Sequence, residues 1–165
     1  MSGQASQPPD TPALRALAAM DLVFEIKVAP PAESVAEAAR LRGIPVNALL
    51  KTLVVRRGED DYLFVLVPGD RAIDWPKLRA HVGARRMTLP DAAEAKAATG
   101  YERGTITPFG ASHAWPVIAD RGIIETSIVS LGGGAHGVSV TLSADDLIAA
   151  LDAEVADVTK PAEVR

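Results

Sequence analysis

The chain has 165 residues, 48% of them hydrophobic and only 4% aromatic, enough apolar material for one domain with a core of Val, Ile, Leu and Ala. It contains no cysteine, which excludes disulfides, thiolate nucleophiles and cysteine-type zinc sites together and makes a cytoplasmic location the expectation. The longest unbroken apolar run, Leu63 to Pro68, is far short of the ~20 residues of a membrane helix, and a net charge of −4 argues against wrapping DNA while allowing a local basic rim.

Residues 1–11 are polar and proline-bearing, with neither a basic nor an apolar signal region, and read as a flexible tail ahead of one domain over 12–165. Thr11 and Pro12 open a short helix to Met20. Val23 to Val28 alternates, with Phe24, Ile26 and Val28 on one face, as a half-buried strand does. Ser34 and Glu37 form a capping box for a helix that Gly43 ends. Leu50–Arg57 and Tyr62–Val67, joined by Gly58-Glu59-Asp60-Asp61, make the clearest hairpin. Asp74 caps a helix through Val82, Arg85–Thr88 reads as a short strand, and Asp91–Thr99 as a helix stopped by Gly100. Tyr101 to Ser112 is irregular. Strands are expected at Trp115–Ala119, Ile123–Leu131 (broken) and Val138–Leu142, and Ser143 caps the last helix with Asp145 and Asp146 in its first turn. Strands outnumber helices without strict alternation, which predicts an α+β domain with a mixed, largely antiparallel sheet.

Three features carry candidate chemistry. Lys51 shares a strand face with Leu53 and Val55; if that face is inward, its ammonium needs an anion, carbonyl or phosphate to compensate it. Alternation alone favours an exposed or snorkelling lysine. Gly104-Thr105-Ile106-Thr107-Pro108 forms a stiff loop whose backbone can approach a ligand, and its free N–H groups can hold a carbonyl or oxyanion. Gly132-Gly133-Gly134-Ala135-His136-Gly137 is followed by an alternating strand rather than a helix, which disfavours dinucleotide binding. It is either a wide turn or a backbone wall of a pocket. His81, His113 and His136 lack metal-ligand spacing, and there is no Gly-x-Ser-x-Gly elbow or Walker pattern.

These pieces, in order and spacing, resemble the YbaK family, related to the editing domain inserted in bacterial-type prolyl-tRNA synthetase. The resemblance runs from Phe24 to Thr159 through Ser34-Val35-Ala36-Glu37-Ala38-Ala39, Lys51-Thr52-Leu53-Val54, Val67-Pro68-Gly69-Asp70 and Thr99-Gly100-Tyr101. It continues through the Gly104–Pro108 loop with Phe109-Gly110, Pro116-Val117-Ile118, the 132–137 loop and Ser143-Ala144-Asp145-Asp146-Leu147. It implies a compact fold around a curved sheet or partial barrel flanked by helices, and hydrolysis of the ester between a wrong amino acid and tRNA. The family lysine matches Lys51, expected to hold the 3′-terminal adenosine. The Gly104–Pro108 loop would contact the aminoacyl carbonyl, and Gly132, Gly133, Gly134 and His136 would shape the side-chain pocket. In such a mechanism water, the 2′-hydroxyl or the substrate side chain attacks, with no metal or other cofactor. Thr52 resembles the YbaK-type branch, whereas His136 stands where those sequences more usually carry arginine, so the amino acid stays open. Arg56, Arg57, Arg85 and Arg86 are candidate contacts to the tRNA backbone, each also readable as ordinary solvated charge. A few phosphate contacts imply weak, salt-sensitive binding, and a synthetase or elongation factor is an expected partner. The alternative from the same residues is a non-catalytic module holding a tRNA 3′ end, nucleotide or small acyl ligand.

Overall fold

The computed structural model describes residues 9–163. Each α-helix begins where a side chain caps it. Thr11, Ser34, Asp74, Asp91 and Ser143 accept the amide of the third helical residue of α1 (Pro12–Ala19), α2 (Val35–Arg42), α3 (Trp75–Val82), α4 (Ala92–Thr99) and α5 (Ala144–Leu151). Left-handed Gly43, Gly83 and Gly100 end α2, α3 and α4.

The strands form two main sheets. In one, β1 (Phe24–Val28), β7 (Val138–Ser143) and β6 (Ile128–Gly132) lie side by side, all antiparallel. In the other, β2 (Leu50–Gly58) and β3 (Asp61–Pro68) form an antiparallel hairpin extended by β5 (Val117–Asp120) and β8 (Glu154–Ala156), both in parallel pairings. A parallel bridge between Leu49 and Ser130 joins the sheets, so the surface curves from one into the other. Two three-residue strands, β4 (Arg71–Ile73) and β9 (Thr159–Pro161), pair separately.

The hairpin has a packed layer on each face. Leu50, Val54, Phe64 and Leu66 join α1, α5 and the first sheet in one apolar cluster, while Val55, Leu63, Val65 and Val67 pack with Leu78 of α3 in a second. The unbroken run in β3 is therefore the signature of a central strand covered on both sides. The α+β expectation and the curved mixed sheet agree with this architecture.

Several local expectations give way. Arg85–Thr88 is not a strand: only Thr88 bridges, to Arg56, where the ladder of β2 is already irregular. The Ile123–Leu131 segment opens with a 3-10 turn, Arg121–Glu125, because the Asp120 carboxylate captures the Gly122 amide. In β1 the supposed inward face is largely open, with Val28 69% exposed, because β1 lies at a sheet edge.

Of the expected tail, residues 1–8 lie outside the described residues, while Thr11 is buried. Its hydroxyl accepts from the Leu14 amide and donates to the Gly133 carbonyl at 2.6 Å, fastening α1 to the glycine loop. Thr11→Val is expected to lower stability by about 1–2 kcal/mol through the lost cap and bond, read as a shift of the urea midpoint. Nearby, Tyr101 donates to the Phe109 carbonyl at 2.7 Å, and burial pushes its phenol up to about 12.

Candidate active site

The two glycine-bearing loops meet at the junction of the sheets. The added Cβ of a residue at Gly132 would sit 3.5 Å from the Ile106 carbonyl oxygen, and one at Gly104 3.5 Å from the His136 ring. Between the first loop, β2 and the start of α4 lies a cavity of about 450 Å³ whose wall includes Lys51, Thr52, Gly104, Ile106 and Gly132. A smaller cavity of about 120 Å³ continues beyond Gly104 and Gly132 toward Gly137, Ser139 and α2. A larger one, about 530 Å³, lies elsewhere, against Arg57, His81, Trp115 and Glu154, and contains neither loop.

Strand alternation divides the β2 residues. Thr52 follows Leu50 and Val54 toward the first cluster, and its hydroxyl is buried with no hydrogen-bond partner, an arrangement that a ligand's polar atom would relieve. Lys51 follows Leu53 and Val55 toward the second cluster, so it borders the cleft while its Nζ donates to the Arg71 carbonyl at 2.5 Å. Burial holds the Lys51 ammonium below the usual lysine range, with Asp70 opposing that shift.

The remaining candidates are distributed around this cleft. Thr105 and Thr107 are buried and shape the loop: the Thr105 hydroxyl donates to the Glu102 carbonyl and Thr107 Oγ1 accepts from the Phe109 amide. The Thr105 N–H is taken by Glu102, whereas the N–H groups of Gly104 and Ile106 meet no backbone acceptor among the described residues. Pro108 is half-buried and outside the cavity wall. Gly133 closes its turn through Val138, and Gly134 lies against Tyr101 and Thr11. His136 is mostly exposed, 3.8 Å from Glu102, and lines a separate shallow cavity behind the loop. Arg56 pairs with Glu94 and Arg57 with Asp61, while Arg85 and Arg86 are exposed away from the cleft.

Two cations of the cleft wall were not legible in the pattern, Arg42 and Arg103. Arg42 lies in the last turn of α2, where positive charge suits the helix dipole and gives no local sign of a ligand role. Together with Lys51 they give the 450 Å³ cavity three cations and no carboxylate among the described residues of its wall, although the chain as a whole is acidic. Among the described residues no group of three or more His, Cys, Asp or Glu side chains could hold a metal ion, and no helix is long and apolar enough to cross a membrane.

Comparison with known proteins places this arrangement. The chain is 30% identical over 119 residues to a proline–tRNA ligase of Thermosipho africanus, covering 70% of this chain but only 21% of that protein. It thus spans about a fifth of that ligase's length. It is 26% identical over 128 residues to EbsC of Enterococcus faecalis, named provisionally a Cys-tRNA(Pro)/Cys-tRNA(Cys) deacylase, with 78% of this chain and 76% of that one covered. Among solved structures, the hypothetical protein APE2540 superimposes with a TM-score of 0.82 at 27% identity, covering 90% of this chain and 99% of its own. A protein described provisionally as a trans-editing enzyme for prolyl tRNA synthetase shares the fold, with a TM-score of 0.81 at 24% identity and 93% and 99% of the two chains covered. Residues 29–150, which contain the cleft strand, both glycine loops and their connections, match the aminoacyl-tRNA editing domain, and the chain belongs to that family.

Proposed function

We propose that this chain hydrolyses the ester linking a mischarged amino acid to tRNA, acting as a free-standing deacylase on the 3′ acceptor end. The observation that carries the reading is the cleft: three cations without a carboxylate, closed on one side by two glycine loops in contact. Such a wall suits a polyanionic strand end. Lys51 would hold phosphate or sugar oxygens of the terminal adenosine. The unpaired N–H groups of Gly104 and Ile106 are suited to the aminoacyl carbonyl, whose oxygen gains charge as the tetrahedral intermediate forms. Gly132 and the loop behind it would limit the side chain. Water supplies the oxygen of the free carboxylate, and the departing tRNA oxygen takes up a proton to become the hydroxyl as the ester C–O bond breaks; where the 2′-hydroxyl or the substrate side chain attacks first, water then opens the acyl product that forms.

Relatives in which the matching segment belongs to a much longer proline–tRNA ligase support a synthetase as a partner; an elongation factor could instead supply the missing affinity. The amino acid removed is set by the small end of the cleft. EbsC's name makes cysteinyl-tRNA the first substrate to try.

The test is a panel of mischarged tRNAs incubated with the protein, before and after dialysis against EDTA. Faster loss of at least one amino acid than in buffer, unaffected by EDTA, is the expected result. The second reading, a binding module, is favoured by the absence, among the described residues, of any His, Asp or Glu from the wall of the 450 Å³ cavity, which leaves no imidazole or carboxylate base there. Saturable binding of acceptor-end analogues without hydrolysis of any substrate would decide for it.

A further inference from the structure

We propose that Arg42 is an anion-binding residue of the cleft, taking a phosphate or carboxylate oxygen of the ligand beside the Ser130 hydroxyl. The proposal rests on the cleft being the acceptor-end site. Arg42 ends α2, and its guanidinium reaches across to β6, donating to Ser130 Oγ at 3.2 Å. Ser130 is fully buried. Arg42 lines both the large and the small cavity, in each case together with Gly104 and Gly132, so it stands at the neck where a ligand passing from one to the other must run.

Its electrostatic situation differs from that of the chain's ion-paired arginines. Arg15, Arg56, Arg57 and Arg121 each lie within ion-pair distance of a carboxylate, whereas Arg42, like Arg71 and Arg103, has none among the described residues. Burial alone destabilises its charge. A cation serving only the helix dipole would do so from solvent, without losing hydration. Here the chain keeps a partly desolvated guanidinium with five N–H donors, one of them used on Ser130. The backbone is anchored as well: Lys27 Nζ donates to the Arg42 carbonyl at 2.5 Å. A fixed, partly dehydrated fork with spare donors is built for an oxyanion.

Two parts of an aminoacyl-tRNA could supply that oxyanion: the phosphate preceding the terminal adenosine, or an acidic amino-acid side chain. Two ligand pairs separate them. AMP against adenosine reads the phosphate. Aspartate against asparagine, each amide-linked to 3′-amino-3′-deoxyadenosine, reads the carboxylate without hydrolysis. Titrations by NMR with wild type, Arg42→Gln and Arg42→Lys are expected to show wild type preferring the anionic member of one pair by about tenfold or more. Arg42→Gln should erase that preference while keeping affinity for the neutral member, and Arg42→Lys should retain part of it.

The proposal is overturned if wild type distinguishes neither pair, or if the preference survives Arg42→Gln. It is also overturned if Arg42→Gln loses the neutral ligand equally, since that marks a structural role. Because every arm is a binding measurement, a protein that binds as described but hydrolyses nothing would refute the deacylase reading alone.

Discussion

Lys51→Ala is expected to reduce deacylation by about 10²-fold or more, the range seen when one preorganised electrostatic contact is removed. The same change should lower stability by only about 1 kcal/mol, one hydrogen bond's net worth. The two effects separate because of where the side chain lies. Its backbone is held in register opposite Val67, and truncation leaves that ladder intact. What disappears is the ammonium at the cleft border and its bond to the Arg71 carbonyl. A carbonyl uses one of three N–H donors and does not neutralise the charge, so the lysine can exchange this partner for an anionic ligand. Lys51→Gln should keep a donor for Arg71 but not the charge, and it should remain nearly as inactive as the alanine variant. Wild-type-like hydrolysis by either variant would remove Lys51 from the mechanism.

The pH dependence follows from the direction of the shift. Burial lowers the Lys51 pKa from its ordinary value of 10.5, because the charged form is the one that loses hydration. The charged form therefore costs more in the folded state than in the unfolded chain. That penalty is fully present at neutral pH and is relieved as pH rises through the lowered folded value toward the ordinary one. Activity that needs the ammonium should run the opposite way. The enzyme-dependent rate, after subtraction of buffer hydrolysis, should fall on an alkaline limb below the usual lysine range. A rate still climbing through pH 10.5, the unshifted lysine value, would argue against a role for the charge.

Much of this site could be read from local pattern, and the rest could not for identifiable reasons. The helix caps, the hairpin and the two glycine loops each leave a short-range signal, so their positions followed from neighbours in the chain. Lys51 and Thr52 were placed on opposite strand faces by simple alternation. The proximity of the loops was not a local property: Ile106 and Gly132 meet because the Leu49–Ser130 bridge joins two sheets. Arg42 was hidden for the same reason, since its partner Ser130 is 88 positions away. The strands β4, β8 and β9 have three residues each, too few to establish a period of two. Thr11 was legible as a helix cap, but its anchor to the Gly133 carbonyl lies 122 positions away and needs the tertiary fold to be seen.

Gly110→Ala is expected to be the most destabilising single change at the loops, costing about 3 kcal/mol or more from overpacking and a left-handed backbone together. Gly110 has φ +67, and an added Cβ would lie 2.4 Å from the carbonyl carbon and oxygen of Pro12 and 2.7 Å from the Ala13 nitrogen. These are backbone atoms at the start of α1, so no rotamer change can move them aside. The helix itself must shift, carrying with it Ala13, Leu14 and Leu17, all buried in the main cluster. Two other glycines isolate the components. Gly83 has φ +78 but open space around its Cβ position, and Gly58 has neither a positive φ nor a neighbour within 4 Å. Gly83→Ala should therefore cost about 1–2 kcal/mol from backbone conformation alone, and Gly58→Ala should stay within about 1 kcal/mol of wild type. At roughly 2–4 °C per kcal/mol for a chain of this size, the three variants should melt in the order Gly58→Ala, Gly83→Ala, Gly110→Ala from highest to lowest. Since α1 also fastens the second loop through Thr11, a folded remnant of Gly110→Ala should hydrolyse or bind acceptor-end analogues less well than its folded fraction predicts. If Gly110→Ala melts with Gly83→Ala, α1 does not press on the loop, and the helix cannot be what holds the two walls of the cleft together.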